Sequence, residues 1–367
     1  MTEARVTFEA VSFSALPGWE EDEHSAAFGA FLKSGERLAK AADDGSLPDL
    51  DRWARLLGII RSALDLPGQA NDARAFFETH FVPHRVVHAR SHGLLTGYYE
   101  PVLAGSRVPN GRYHVPVYRR PPDLVNLMDE SMRGAAGKAL THARRTEDGR
   151  HLPYYTRSEI ESGALSGRNL ELLYLEDPVD AFFMHIQGSG LVTLPDGSHV
   201  RVSYDGKNGH PYTSIGRYLV DSGLFRADEV SLETLKQWLR ADPERGRQVM
   251  WQNASYIFFQ ELSVADAQSA LGVMGIPLTA GRSLAVDASV HLIGTPIYVV
   301  APDLARAGER GTFRRLMIAQ DVGSAITGPE RGDIYFGSGS EAGDQAGRTR
   351  HAGSFFVLLP RDAESKA

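Results

Sequence analysis

Two aspartates stand in a glycine-dense stretch near the C-terminal end, Asp321-Val-Gly-Ser-Ala-Ile-Thr-Gly-Pro-Glu-Arg-Gly-Asp333-Ile-Tyr-Phe-Gly-Ser-Gly. Apolar strand formers lie on both sides. In such loops an aspartate ordinarily caps backbone amides. A carboxyl at a barrel rim has another use. Burial against Ile334, Tyr335 and Phe336 raises its pKa and keeps it protonated, as a general acid must be. Spacing leaves both readings open.

Three other groups carry polar chemistry. Thr96-Gly97-Tyr98-Tyr99-Glu100 is an aromatic, hydroxyl-rich strip, and tyrosine faces suit sugar rings. At least one of the two tyrosines must serve ordinary packing, because adjacent strand residues point to opposite faces. Gln187-Gly188-Ser189-Gly190 lies near His185, His199 and His210 and lacks the forms of a phosphate or dinucleotide loop. It reads either as a tight connection or as a wall of backbone groups for a polar ligand. His84, His88 and His92 have a helical ligand spacing, but Pro83 and Val86-Val87 favour strand. Extended, they span about 26 Å, too far for one ion. No metal site is expected.

The elements that must position these residues follow from periodicity. Three helices are expected over Glu23–Ala42, Asp49–Leu66, stopped by Pro67-Gly68, and Asp72–His80. Strands are expected over Gly93–Glu100 and Tyr113–Tyr118, and residues 123–152 read as an excursion. Thr156 and Glu159 form a capping-box pattern. Ala181–Gln187 and Ser198–Tyr204 read as a hairpin around Pro195-Asp196-Gly197. Residues 214–252 return to helix, with Asp242-Pro243 as N-cap and first helical residue. Six strands follow: Ser255–Leu262, Ser283–Ala288, Pro296–Val300, Arg315–Ala319, Asp333–Phe336 and Ser354–Leu359. Short strands joined by glycine turns suggest a barrel interrupted by an insertion, since neither end has strands enough to close alone.

Composition bounds the function. The 367 residues carry 46 acidic and 39 basic side chains, a net charge of −7, which argues against a nucleic-acid binder. Hydrophobic residues make up 42%, enough for a packed core. With no cysteine there is no disulfide, thiolate metal site, cysteine nucleophile or thioether-linked lipid. No apolar run reaches the roughly 18–20 residues of a bilayer span. The polar N-terminus lacks a signal-peptide core, so either the protein stays in the cytoplasm or a leader has been trimmed.

Six blocks in order carry a resemblance: Thr96–Pro101, His185–Gly190, Gly209–Tyr218, Asn253–Phe259, Pro277–Asp287 and the run from Gln320 to Gly347. Together they resemble the membrane-bound lytic murein transglycosylase A family, from about Phe13 to Leu359. The resemblance implies a mainly β fold with helices: an N-terminal helical segment and a double-psi β-barrel interrupted by an inserted second β-rich domain. The boundaries expected are 1–119 for the helices and first barrel part, 120–245 for the insert and 246–367 for the second barrel part.

The resemblance also implies a periplasmic carbon–oxygen lyase, a peptidoglycan lytic exotransglycosylase linked to the outer membrane. It would cleave between N-acetylmuramic acid and N-acetylglucosamine without adding water. Asp333 is the implied catalyst. Asp321 maps to a supporting aspartate, and Thr96, Tyr98, Gln187, Gly188 and Ser189 match groove-lining motifs. Ser324 departs from the family's usual glycine and would narrow the groove. The implied partners are peptidoglycan glycan strands, met by a monomer, with no nucleic acid, metal or organic cofactor. The family's lipidated cysteine is missing, so no lipid anchor is expected on this chain, and the missing leader is better read as trimmed or mis-started. Two other readings stand: a conventional hydrolase pairing Asp333 with Asp321 or Glu330, and a non-catalytic glycan-binding barrel.

Overall fold

A computed structural model describes residues 6–66, 72–88, 92–127, 141–227, 229–263, 268–304 and 312–361. The chain divides into two compact units. The first takes residues 1–97, 271–337 and 349–367, and the second takes 98–270 and 338–348. Segments 98–119 and 246–270, expected with the barrel, therefore belong to the second unit. Elements are numbered along the chain.

The first unit begins with β1 (Thr7–Ala10), α1 (His24–Asp43), α2 (Leu50–Leu64) and α3 (Ala73–His80). All three expected helices are present. Asp72 caps α3 by accepting from the Ala75 amide at 2.8 Å, which satisfies one of the orphan donors of a helix start. The expected Pro67-Gly68 stop lies outside the described residues. Next come β2 (Phe81–Val87) and β3 (Gly93–Glu100).

After the second unit the chain returns as β13 (Ser283–Val286), β14 (Pro296–Ala301), β15 (Phe313–Val322), β16 (Arg331–Ser338) and β17 (Arg350–Pro360). Strand order runs β17-β14-β15-β13-β16-β3, and β3 pairs again with β17. That closes a six-stranded barrel, as expected, with β2 and β1 continuing outward from β17. Closure removes the unpaired edges of an open sheet. β13 runs parallel to β15, a pairing that no hairpin supplies and that needs a crossover.

The core of this unit joins the helices to the barrel. Phe28, Phe31, Leu38, Leu56 and Ile60 from α1 and α2 belong to one buried cluster with Ile297, Val299, Leu316, Ile318 and Phe355. A buried ion pair fastens the segment before α1. Arg282 Nη1 and Nη2 each donate to Asp22 at 2.9 Å, and the Leu316 amide donates to the same carboxylate at 2.6 Å. The two side chains are only 3% and 4% exposed.

The second unit carries β4 (Val102–Ser106), β5 (Val115–Tyr118), β6 (Leu124–Asn126), β7 (His142–Arg145), β8 (His151–Leu152), α4 (Arg157–Glu159) and β9 (Glu171–Leu175). It continues through α5 (Pro178–Gln187), β10 (Ser189–Thr193), β11 (His199–Lys207), α6 (Ile215–Asp221), α7 (Leu232–Ala241), α8 (Pro243–Met250), β12 (Ile257–Glu261) and α9 (Ser340–Arg348). Six strands form a sheet in the order β12-β11-β10-β4-β9-β5, and a bridge between Arg119 and Phe259 joins its two ends. β6, β7 and β8 form a separate small sheet, which is what the excursion at 123–152 becomes in its described part.

One expected strand is a helix. Ala181–Gln187 belongs to α5, because Asp177 accepts from the Val179 amide, Pro178 opens the first turn and Gly188 closes the last in the left-handed region. The hairpin survives around Leu194–Ser198, with β10 as its first arm. The expected capping box at Thr156 and the Asp242-Pro243 start are present, and Ser231 with Thr234 forms a second box that the sequence reading did not single out. Among the described residues no helix is long and apolar enough to cross a membrane.

Asp22→Ala leaves the Arg282 charge buried and unpaired, so it should destabilise the first unit by about 3–5 kcal/mol. Adding Arg282→Met should restore much of that loss. Urea unfolding monitored by tryptophan fluorescence reads both, and a surface-like effect of Asp22→Ala would contradict the assignment.

Candidate active site

The alternation of β16 sets the site. Successive residues of a strand face opposite ways, so Arg331 and Asp333 share one face while Gly332 and Ile334 share the other. Ile334 is fully buried opposite Leu284 of β13. A Cβ at Gly332 would lie 2.7 Å from Phe355 Cζ, 3.0 Å from Leu284 Cδ1 and 3.2 Å from Leu95 Cδ2. Glycine is therefore required here by close packing and not by backbone conformation.

On the outward face, Thr96 of β3 donates its hydroxyl to Asp333 Oδ1 at 2.5 Å. Arg331 Nη2 donates to Thr96 Oγ1 at 2.8 Å. Asp333 keeps partial solvent exposure, yet dense protein surrounds its carboxyl. Desolvation raises its pKa above the ordinary aspartate value, and it outweighs the opposing pull of the Arg331 charge and the Thr96 hydrogen bond. Burial that favours the neutral carboxyl, beside donors ready for the ion, is the kind of balance a general acid uses.

Asp321 is placed by a bulge in β15. Leu284 pairs with Ala319, and the next residue, Ala285, pairs with Asp321, so Gln320 is the extra residue. Gln320 is fully buried and donates to Ala30 O at 2.8 Å and to Ser34 Oγ at 2.7 Å on α1, while accepting from Ser283. The bulge thus serves the helix and re-aims the residue after it. Ala285 pairs with Asp333 on its other side. The two aspartates therefore flank one alanine, two strand spacings or about 10 Å apart along the sheet. Ser324 is exposed in the turn after β15.

Glu330 is committed elsewhere. It is buried, accepts from the Phe355 amide at 2.8 Å and lies 2.7 Å from His88 Nε2. Both of its oxygens are thus engaged within the barrel. Asp287 is an acidic residue to which sequence reasoning gave no role. It accepts from Ser289 and, at 2.6 Å, from the Gly328 amide, bracing the turn between Asp321 and Asp333. Its place at the end of a strand block was visible, but its partner 41 residues away was not.

The remaining sequence candidates lie in the second unit. Tyr98 and Tyr99 are both buried. Gln187 Oε1 accepts from the Tyr99 amide at 3.0 Å, so this side chain ties α5 to the end of β3. Gly188 ends α5 with φ +81°, and a Cβ at Gly190 would lie 2.6 Å from Met184 Sδ. Ser189 is buried opposite Ser203. Much of this glycine motif is accounted for by a tight helix-to-strand connection. Glu100, fully buried, is held by Arg201 at 2.8 and 3.0 Å and by Ser338 Oγ at 2.6 Å.

The histidines are dispersed. His88 faces Glu330, His84 Nδ1 lies 2.9 Å from Val82 O, and His210 Nε2 lies 2.8 Å from Tyr154 O. His185 is buried beside Arg157, and both burial and that charge push its pKa down, leaving it neutral. Among the described residues no cluster of histidine and carboxylate side chains has the arrangement of a metal site.

Residues 94–260 match the MltA specific insert domain family, and residues 282–359 match the 3D domain family. The chain is 36% identical to the Escherichia coli K12 membrane-bound lytic murein transglycosylase A over 267 residues. That alignment takes in 72% of this chain and 64% of the relative, so it spans somewhat less than two thirds of the relative's length. A crystal structure of a membrane-bound lytic murein transglycosylase from Agrobacterium tumefaciens superposes with a TM-score of 0.84 at 35% identity, covering 97% of this chain and 98% of that one. E. coli MltA with bound chitohexaose gives a TM-score of 0.68 at 28% identity, covering 99% and 96%.

Gly332→Ala should cost about 1–3 kcal/mol through overpacking against Phe355 and Leu284, with the residual folded protein showing a displaced Asp333. Thermal unfolding and a crystal structure of the variant check this. Asp333→Asn tests the electrostatics separately. The raised folded-state pKa means that Asp333 adds stability at low pH, and this is lost as pH rises through that pKa. The variant should therefore gain stability relative to wild type at pH 7 and lose that advantage at pH 4. An advantage that does not depend on pH would contradict the desolvated carboxyl.

Proposed function

The chain belongs to the membrane-bound lytic murein transglycosylase A family, and from that premise we propose that it cleaves peptidoglycan glycan strands with Asp333 as the sole acid and base. The observation that carries this reading is the desolvated Asp333 carboxyl, hydrogen-bonded by Thr96 on the open face of β16.

The neutral carboxyl donates its proton to the glycosidic oxygen between N-acetylmuramic acid and N-acetylglucosamine. The bond from that oxygen to C1 breaks through an oxocarbenium-like state, and the N-acetylglucosamine side leaves with a free 4-hydroxyl. The Asp333 carboxylate, still held by Thr96, then takes the proton of the C6 hydroxyl on the same muramic acid. O6 attacks C1 and closes a 1,6-anhydro ring. The proton lent in the first half returns in the second, so the enzyme is regenerated and no water is consumed. The nucleophile is tethered to its target, which favours ring closure over capture by a free water.

This chemistry asks for one carboxyl where ordinary glycosidases ask for two. The engagement of Glu330 by His88 and the Phe355 amide is in keeping with that. Asp321, on the far side of Ala285, is proposed to hold substrate hydroxyls, together with Thr96 and Ser324, in the barrel unit. Tyr98, Gln187, Gly188 and Ser189 are proposed as the glycan contacts of the second unit. We further propose that the protein works in the periplasm, where its substrate lies, and as a monomer, since one chain carries every group the reaction needs.

Digestion of murein sacculi followed by mass spectrometry should release muropeptides ending in 1,6-anhydro-N-acetylmuramic acid. Products one water heavier, with reducing ends, would replace this reading with a hydrolase. Binding without release of soluble fragments would replace it with a glycan-binding barrel. Asp333→Asn should abolish turnover. In the wild type, turnover should fall as pH rises through the raised Asp333 pKa, because the reactive form is the protonated one.

A further inference from the structure

Arg331 has no part in the two proton transfers, yet its position is closely determined. Its Nη1 donates to Gly332 O at 2.6 Å and to Leu94 O at 3.4 Å, so main-chain carbonyls of β16 and β3 anchor the guanidinium. Its Nη2 is thereby aimed at Thr96 Oγ1, 2.8 Å away. Thr96 Oγ1 lies 2.5 Å from Asp333 Oδ1. A guanidinium has donors and no acceptor, so the direction of the first bond is not open. The hydroxyl has a single proton. A hydroxyl oxygen that accepts from a charged donor becomes a weaker acceptor and a stronger donor. The second bond therefore runs from Thr96 to Asp333.

We propose that Arg331 is a positioning residue that acts through Thr96 to reserve Oδ1 of Asp333 as an acceptor, so that the transferable proton sits on Oδ2. This rests on the reading of Asp333 as the general acid. It adds the oxygen from which the proton leaves and the residues that select it. A protonated carboxyl has two equivalent places for its proton, and a relay that closes one presents the acid in a single orientation. The same two bonds remain after the transfer and support the carboxylate until it takes the C6 proton.

The charged groups around Asp333 are few among the described residues. Arg331 is on its own strand, Asp321 on β15 lies across Ala285, and Arg350 on β17 pairs in register with Thr96. Arg331 and the Thr96 hydroxyl both pull the Asp333 pKa down against burial. Removing either must move the alkaline limb of the pH profile to higher pH, while proton delivery becomes less well directed.

The test compares Thr96→Val, Thr96→Ser, Arg331→Gln and the double variant Thr96→Val/Arg331→Gln, with Asp333→Asn in parallel. Turnover on sacculi is measured across pH. Thr96→Val and Arg331→Gln should each lower kcat by about 10- to 100-fold, less than the loss of the acid itself, with the alkaline limb shifted upward in both and KM little changed in Arg331→Gln. Thr96→Ser should keep the wild-type limb. The kcat loss of the double variant should not exceed that of Thr96→Val alone, because Arg331 positions the proton through Thr96, while its alkaline limb moves further, because the Arg331 charge also acts on Asp333 directly. An unmoved limb in both single variants, a Thr96→Ser that behaves like Thr96→Val, or additive losses in the double variant would each overturn the relay. If Arg331→Gln fails to fold, the Thr96 pair decides. Retained turnover in Asp333→Asn would instead remove the general acid beneath the relay, whatever the other variants do.

Discussion

Closure of the barrel is the constraint on which the site depends. Thr96 and Asp333 are 237 positions apart, and they meet because β3 completes the ring between β16 and β17. Ring closure fixes register on both sides of β16, and register decides which side chains face the packed interior. At Gly332 that interior leaves no room for a Cβ. The tight packing of one residue thus guarantees the outward placement of its two neighbours, Arg331 and Asp333. A slip of one residue would bury the carboxyl in the core and expose Ile334, at the cost of the whole apolar face.

The electrostatics of the site resolve into competing effects of known sign. Desolvation favours the neutral acid, while Arg331 and Thr96 favour the carboxylate. A site with desolvation alone would give up its proton too reluctantly, and a site with the charge alone would hold no proton near neutral pH. The arrangement here places the positive charge one hydroxyl away: Arg331 donates to Thr96, and Thr96 donates to Asp333. The guanidinium spends its donors on Thr96 and on two main-chain carbonyls. Its influence is thereby tempered and directed, and burial remains the larger effect on the carboxyl.

Much of this was legible in the chain. Three N-terminal helices, the strands after residue 255, the start at Asp242-Pro243 and the interrupted barrel follow from periodicity, capping residues and glycine punctuation. What failed did so for identifiable reasons. Ala181–Gln187 of α5 reads as a strand because its interior is apolar nearly all round, which leaves period unable to separate helix from strand. α9 gave no signal because two of its nine residues are glycines. Those glycines are there for close approach, Gly343 to the Tyr99 ring and Gly347 to Leu232. Asp333 was legible as a candidate from its setting between glycine and aromatic residues. The commitment of Glu330 to His88 and Phe355 was not, since both partners are remote in sequence.

The bulge at Gln320 shows why a motif can be read correctly and its geometry still be missed. Gln320 and Asp321 are adjacent letters of one block, yet they serve different masters. Gln320 turns inward, and its amide joins Ser283 to Ala30 and Ser34 on α1. A regular strand would also have carried Asp321 out of register with Ala285. The extra residue resolves both demands at once, satisfying a buried amide and returning Asp321 to the row that ends at Asp333. The N-terminal helix, which contributes no candidate catalytic group, therefore takes part in setting the row of carboxylates. Its hydrogen bonds hold the irregularity that a bare β-barrel sequence would have no reason to keep.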